Sequence, residues 1–194
     1  SLSLRFGLSR TPIREAMVKL VAEGLATTLP NRNTIVSTID FTGLPAYLDA
    51  LMLMYRVTTR LAAERRQDED IATIRARQAD FVRAVEASDV FGMIETNRLF
   101  HLAIAEAGQN RYYTDLFARL LDENTRLRRM YYRAFDDHLP PEYVEEHEMM
   151  IAAVASRDAE LADRLGKEHA QQIVDQLKRF ITPTTGTDMV FERA

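Results

Sequence analysis

Residues 6–25 read FGLSRTPIREAMVKLVAEGL, and this stretch decides how the first part of the chain folds. Gly7 ends a short helix in a tight turn, and a second helix opens around Ser9 to Pro12. Ser9 or Thr11 can cap the orphan amides of that first turn, and Pro12 is tolerated there because its missing N–H has no intrahelical partner. Ile13, Met17 and Leu20 recur at helical spacing and predict one buried stripe. Gly24 is the expected stop. Arg10, Thr11 and Arg14 stay outward, and arginines four residues apart stack on one helix face. A helix–turn–helix offers the start of its second helix to the DNA major groove, where Arg bonds bidentately to guanine O6 and N7. Any short helix pair with exposed arginines has the same spacing, so on these residues alone both readings stand.

The composition places the chain among globular proteins. It has 194 residues, of which 46% are hydrophobic and 28% charged, a balance too polar for a membrane span, which needs ~18 or more consecutive apolar residues. The start of the sequence lacks the basic-then-apolar layout of a secretory signal, and with no cysteine there are no disulfides, thiolate metal sites or Cys nucleophile. A cytoplasmic location is expected. The net charge of −4 does not suggest a nucleic-acid binder, but its distribution does. Residues 1–36 hold Arg5, Arg10, Arg14, Lys19 and Arg32 against Glu15 and Glu23, three positive overall, which leaves the remainder at seven negative. That asymmetry suits a protein that meets phosphate at one end only.

After Gly24, the run LATTLPNRNTIVSTI alternates apolar and β-branched residues around PNRN, the pattern of a short hairpin. Asn31 and Asn33 are the expected positive-φ residues of its turn. Arg32 at the tip either reaches a phosphate or minor groove, or is a solvated loop arginine. The Gly and Pro of DFTGLP mark a linker. From Ala46 the pattern becomes helical, with helices expected over about 46–66, 68–87, 89–107, 110–135, 141–155 and 158–181. The expected organisation is a reader domain over 1–38, a linker over 39–45, an antiparallel all-α bundle over 46–181 and an irregular tail over 182–194.

Three of the four histidines lie on apolar stripes of different expected helices. His101 shares a face with Ile94, Asn97 and Ile104, and His147 with Met150, Ile151 and Val154. His169 sits in the four-residue ladder Leu161, Leu165, His169, Ile173, Leu177. A single buried histidine is usually a satisfied core residue. Three aimed at one bundle interior suggest transition-metal ligands, since imidazole is a common donor and bundle cores are where such sites are built. His138, beside two aspartates and two prolines, reads as a surface loop residue. Asn110 reads as a helix cap.

The run LSLRFGLSRTPIREAMVKLVAEGL resembles the winged helix–turn–helix of GntR-type bacterial transcription regulators, whose SRTPVREAL-like recognition helix is matched by Ser9, Arg10, Thr11, Pro12, Arg14, Glu15 and Ala16. Residues 46–181 resemble the FCD ligand-binding domain of the FadR-like branch of that superfamily. The matching motifs are NRLFH at 97–101, AGQN at 107–110, the Glu-His pair at 146–147 with Ile151 after it, and a late His at 169. The resemblance implies a mostly α protein, a partial winged helix–turn–helix followed by the bundle. It also implies a further helix before Leu2.

The implied DNA-binding residues are Ser9, Arg10, Thr11 and Arg14, with Arg32 at the tip of the wing. Many FCD domains bind a divalent metal through an Asp and three histidines, which carries over to Asn97, His101, His147 and His169. Asn97 departs from that pattern. Its amide is a weaker, neutral donor, and the site loses one negative charge. Zinc or nickel is the expected ion. Arg56, in the first helix of the bundle, either lines a cavity for a small carboxylate effector or pairs with an acidic neighbour. From the cluster Arg126, Arg128, Arg129, Tyr131, Tyr132 and Arg133, one further cavity group can come, the rest being a solvated face. The implied protein is a homodimeric, metabolite-responsive regulator that binds operator DNA.

The rival reading is a small metal-dependent hydrolase. His147-Glu148 is followed by Ile151 where an HExxH site would place its second His, and no GxSxG elbow or phosphate loop is present. A purely structural dimerisation bundle would leave the three histidines unexplained.

Overall fold

A computed structural model describes residues 2–22, 26–37, 42–134 and 142–181. The chain divides into two compact units, Ser1–Leu44 and Pro45–Ala194. Gly24, His138 and the tail from Thr182 lie outside the described residues.

In the first unit, α1 (Leu2–Phe6) and α2 (Arg10–Ala22) are joined through Gly7, which takes φ +64° as a tight turn requires. Pro12 is the third residue of α2, inside the turn whose amides have no helical partner. Strands β1 (Ala26–Thr28) and β2 (Thr34–Val36) pair antiparallel, with Ala26 opposite Val36, Thr27 opposite Ile35 and Thr28 opposite Thr34. Two details differ from the sequence reading. The stripe on α2 is only partly covered: Ile13 and Met17 are half-buried and Leu20 is exposed. The short α1 and the hairpin are too small to cover a whole helical face. At the hairpin tip, the left-handed residue is Arg32, at φ +64°, rather than either asparagine. Asn31 instead uses its side chain, its Oδ1 accepting from the Asn33 amide at 3.0 Å. The Asn33 carbonyl accepts from Leu29 N–H at 2.8 Å, closing the loop.

The second unit is built from α3 (Leu44–Arg65), α4 (Asp68–Glu86), α5 (Val90–Ala107), α6 (Arg111–Ala134), α7 (Glu142–Ala155) and α8 (Ala159–Ile181). Helix α3 starts two residues before the expected position and takes the last residues of the expected linker. Pro45, expected in that linker, is instead the second residue of a helix, where a missing donor does no harm.

Three of the turns share one chemistry. Ser88, Gln109 and Arg157 each adopt positive φ, and each is followed by an Asp or Asn that caps the next helix. Asp89 accepts from Gly92 N–H at 3.0 Å, Asn110 from Tyr112 N–H at 3.2 Å, and Asp158 from Leu161 N–H at 2.9 Å. Turns this short make consecutive helices antiparallel neighbours. Asp158→Ala should therefore destabilise the bundle by about 1 kcal/mol, the usual worth of such a cap, read as a lowered urea midpoint at unchanged slope.

One core cluster joins Ala62 and Ala63 of α3, Ile74 of α4, Phe100 and Ile104 of α5, Met150 and Ile151 of α7 and Leu165 of α8. A second, nearer the α4–α5 turn, gathers Phe81, Val90, Met93, Ile94 and Tyr143. Gly166 lets α8 approach α3 closely, since a Cβ there would lie 2.8 Å from the Tyr55 carbonyl oxygen. Among the described residues, no helix is long and apolar enough to cross a membrane.

Candidate metal centre and DNA-facing helix

Helices α5, α7 and α8 each carry one histidine into the bundle interior. His101, His147 and His169 are all buried, because each occupies a core position of an apolar stripe. Their potential ligand atoms lie within 4.8 Å of one another, and the ring centroids are 4.9–5.2 Å apart. Aromatic rings wall the cluster. Tyr55 meets His101 edge-on at 4.8 Å, and Phe100 stacks on His147 at 4.1 Å.

Hydrogen bonds decide which nitrogen two of the rings offer. Gln78 gives its amide N–H to the Val144 carbonyl at 3.2 Å, so its Oε1, 2.9 Å from His147 Nδ1, is the acceptor. His147 therefore carries its proton on Nδ1. His169 Nδ1 lies 2.8 Å from Glu146 Oε2 and donates to that carboxylate. In both rings the lone pair is left on Nε2, the tautomer that a hydrogen-bond acceptor behind the ring imposes on metal-binding histidines. The Nε2 atoms of all three histidines are buried with no hydrogen-bond partner among the described residues. Buried polar atoms are rarely left so, and three on neighbouring rings fit a shared ion.

The rings are also held neutral. Burial pushes His101 and His147 well below the ordinary imidazole range, with the neighbouring His169 and then the Arg128 guanidinium adding to the shift; His147 does the same to His101. For His169 burial again lowers the pKa, while the bond to Glu146 opposes it. Neutral imidazoles present lone pairs rather than N–H donors, as ligation requires. Asn97 is buried one turn before His101 on α5.

Arg56 takes the ion pair that the sequence left open as its alternative. Its Nε and Nη2 each donate to an Asp163 carboxylate oxygen at 2.9 Å, a two-pronged pair between α3 and α8. Its side chain is 40% exposed, so it is not part of the buried cluster. Among the described residues the buried cation is Arg128, whose Nη2 donates to the Tyr55 hydroxyl at 3.3 Å. The sequence offered it only as one of six residues in a basic-aromatic cluster. Position 128 falls on the inward face of α6 with Leu121 and Leu127, which are also buried, and that periodicity was the signal available. Glu148, the residue an HExxH reading would need, is about half exposed and lies 3.7 Å from Arg75.

On the first unit, Ser9, Arg10, Thr11, Arg14 and Arg32 are all exposed. Arg10, Thr11, Arg14, Val18 and Lys19 line one shallow groove along α2, so the start of the helix presents its cations on a common face.

The FCD domain family matches residues 47–172. The Escherichia coli HTH-type transcriptional repressor GlaR is 29% identical over 175 residues, 87% of this chain and 79% of that protein. The repressor RspR of the same organism is 24% identical over 178 residues, 91% of this chain and 77% of RspR. Among solved structures, Escherichia coli McbR/YncC superposes with a TM-score of 0.77 at 24% identity, over 92% of this chain and 84% of that one, a likeness of fold. These relatives are transcription regulators, not enzymes. With an FCD bundle following a helix–turn–helix, the chain belongs to the FCD-domain family of GntR-type transcription regulators.

Proposed function

We propose that this chain is an operator-binding regulator whose bundle holds a divalent metal through His101, His147 and His169, with Asn97 as a neutral neighbour, and senses a small carboxylate there. The observation that carries this reading is the set of three buried, unpartnered Nε2 atoms on three helices. A divalent ion held by them would supply a Lewis-acidic seat for a carboxylate oxygen. Gln78 and Glu146 fix the proton on the far side of two rings, and the Tyr55, Phe81 and Phe100 rings keep bulk water off them. Three nitrogen donors and no thiolate suit zinc or nickel.

In the first unit, Arg10 and Arg14 read base edges and Arg32 contacts the backbone or minor groove, with Ser9 and Thr11 positioning the helix on phosphate. Two such readers in a homodimer match half-sites about 34–36 Å apart. The acid regulates DNA binding by favouring one of two arrangements of the dimer, through unequal affinity for them.

The test is fluorescence anisotropy on a duplex selected by this protein from a random pool. Arg10→Ala or Arg14→Ala should weaken specific binding by about 1–3 kcal/mol, the worth of a bidentate base contact. DNA affinity should also change when the metal is stripped with a chelator. Unchanged affinity and sequence preference in both arginine variants would count against the placement of α2. Indifference to the chelator would detach sensing from the metal.

A further inference from the structure

We propose that Glu146 sets how tightly this centre holds its ion, as a positioning residue that acts through the imidazole of His169 and does not touch the metal. The proposal rests on the metal-centre reading above and concerns which residue controls loading of that site.

Helix α7 reaches the cluster twice. His147 brings its own ring, and the residue before it, Glu146, turns towards α8 and places Oε2 2.8 Å from His169 Nδ1. Among the described residues this is the one carboxylate hydrogen-bonded to a ring of the cluster. The partner behind His147 differs in kind. Gln78 offers that ring a neutral amide oxygen at 2.9 Å, and its own N–H is spent on the Val144 carbonyl. Asn97, buried one turn before His101, is an uncharged amide too. The two rings whose tautomers are fixed are therefore unequal donors: a dipole stands behind His147 and an anion behind His169.

An N–H donated to a carboxylate makes a charge-assisted bond, roughly twice as strong as one to a neutral oxygen. That bond draws the Nδ1 proton towards oxygen and leaves Nε2 the richer in electrons, which makes the ring a more basic ligand. A cation at Nε2 polarises the ring in the same sense, so the bond to Glu146 and the bond to the ion strengthen one another. Burial suits this arrangement. The Glu146 side chain is 23% exposed and that of His169 is 1% exposed, so the anion lies at the edge of the cluster and escapes the full cost of desolvation. The ring conveys to a sealed ion a charge that water still reaches.

The experiment measures zinc affinity of the full chain by competition with a chromophoric chelator. Glu146→Gln keeps the size and an acceptor oxygen and removes the charge. It should weaken zinc binding about 10–100-fold, the usual effect of losing such a partner. Glu146→Asp, which restores the charge on a shorter arm, should bind zinc more tightly than Glu146→Gln. Glu148→Gln is the comparison, since it removes the same charge from α7 at a side chain that is 51% exposed and 3.7 Å from Arg75. An exposed charge is screened by salt, so this variant should bind zinc as wild type does.

Proton spectra of the ring N–H groups supply a readout that packing alone would not move. The His169 Nδ1–H signal should lie farther downfield in wild type than in Glu146→Gln, and farther still with zinc bound, while that of His147 is the same in both proteins. Zinc affinity in Glu146→Gln equal to that of wild type, or lowered as much in Glu148→Gln, overturns the role of Glu146 and leaves the metal centre standing. No zinc uptake by the wild type overturns both.

Discussion

His147→Ala is expected to remove metal uptake and to weaken the fold at the same time. The ring is fully buried, stacked on Phe100 at 4.1 Å and packed against Phe81 at 4.9 Å. Truncating it opens a cavity between two aromatic side chains, a change that typically costs about 2–5 kcal/mol. It also leaves Gln78 Oε1 without the N–H that it accepts, which adds to the loss. The metal-dependent effect is separable from both. A ligand that binds only the folded state stabilises it by about 2.7 kcal/mol at a hundred times its dissociation constant. Wild type should show such a zinc-induced rise in its urea midpoint, and His147→Ala should show none. His147→Leu, which keeps most of the volume but offers no lone pair, should recover much of the lost stability and none of the zinc response. A zinc response undiminished in both variants would remove His147 from the ligand set.

Gly166→Ala should also destabilise the bundle, by less than the loss of His147, although it lies in a helix and alanine is the better helix former by about 1 kcal/mol. Its new Cβ would fall 2.8 Å from the Tyr55 carbonyl oxygen and 3.3 Å from Arg56 Cα. Both are backbone atoms, so relief requires α8 and α3 to move apart. Overpacking of this kind costs about 1–3 kcal/mol, enough to exceed the gain in propensity. The displacement would be felt at the centre, because Tyr55 meets His169 at 5.3 Å and His101 at 4.8 Å, and His169 lies one turn after Gly166 on α8. A lowered urea midpoint together with weakened zinc affinity is the expected result. A variant as stable as wild type with intact zinc binding would show that the close approach of α3 and α8 is not needed to set the rings.

Much of this architecture could be read from the chain because its signals are local. The ladder of Leu161, Leu165, His169, Ile173 and Leu177 has the helical period, and four of those five side chains are buried. Asp89 and Asn110 were legible as helix boundaries since a short polar side chain before an apolar run is a cap. The convergence of three imidazoles also followed from stripe position: a histidine in a core register has one direction to face.

What the sequence hid depends on contacts between distant residues. Arg56 and Asp163 are 107 positions apart, and nothing local shows that Asp163 lies opposite. Gln78 is an ordinary glutamine until α4 meets α7 and places it against His147. Arg128 was masked by its own neighbourhood, since a cluster of arginines and tyrosines reads as surface until the register of α6 singles out one position. At the hairpin, Arg32 rather than an asparagine took the left-handed backbone, because Asn31 is worth more as a side-chain acceptor for the Asn33 amide.

The claim on which the rest depends is that three imidazoles share one ion through Nε2. Long-range proton–nitrogen correlation spectra of the histidine rings, recorded on the metal-free protein and again with one equivalent of zinc, test it directly. The expected result is that the Nε2 signals of His101, His147 and His169 move together to the metal-bound range while Nδ1 of His147 and His169 stays protonated. Zinc that leaves these three rings unchanged, or shifts only His138, would contradict it.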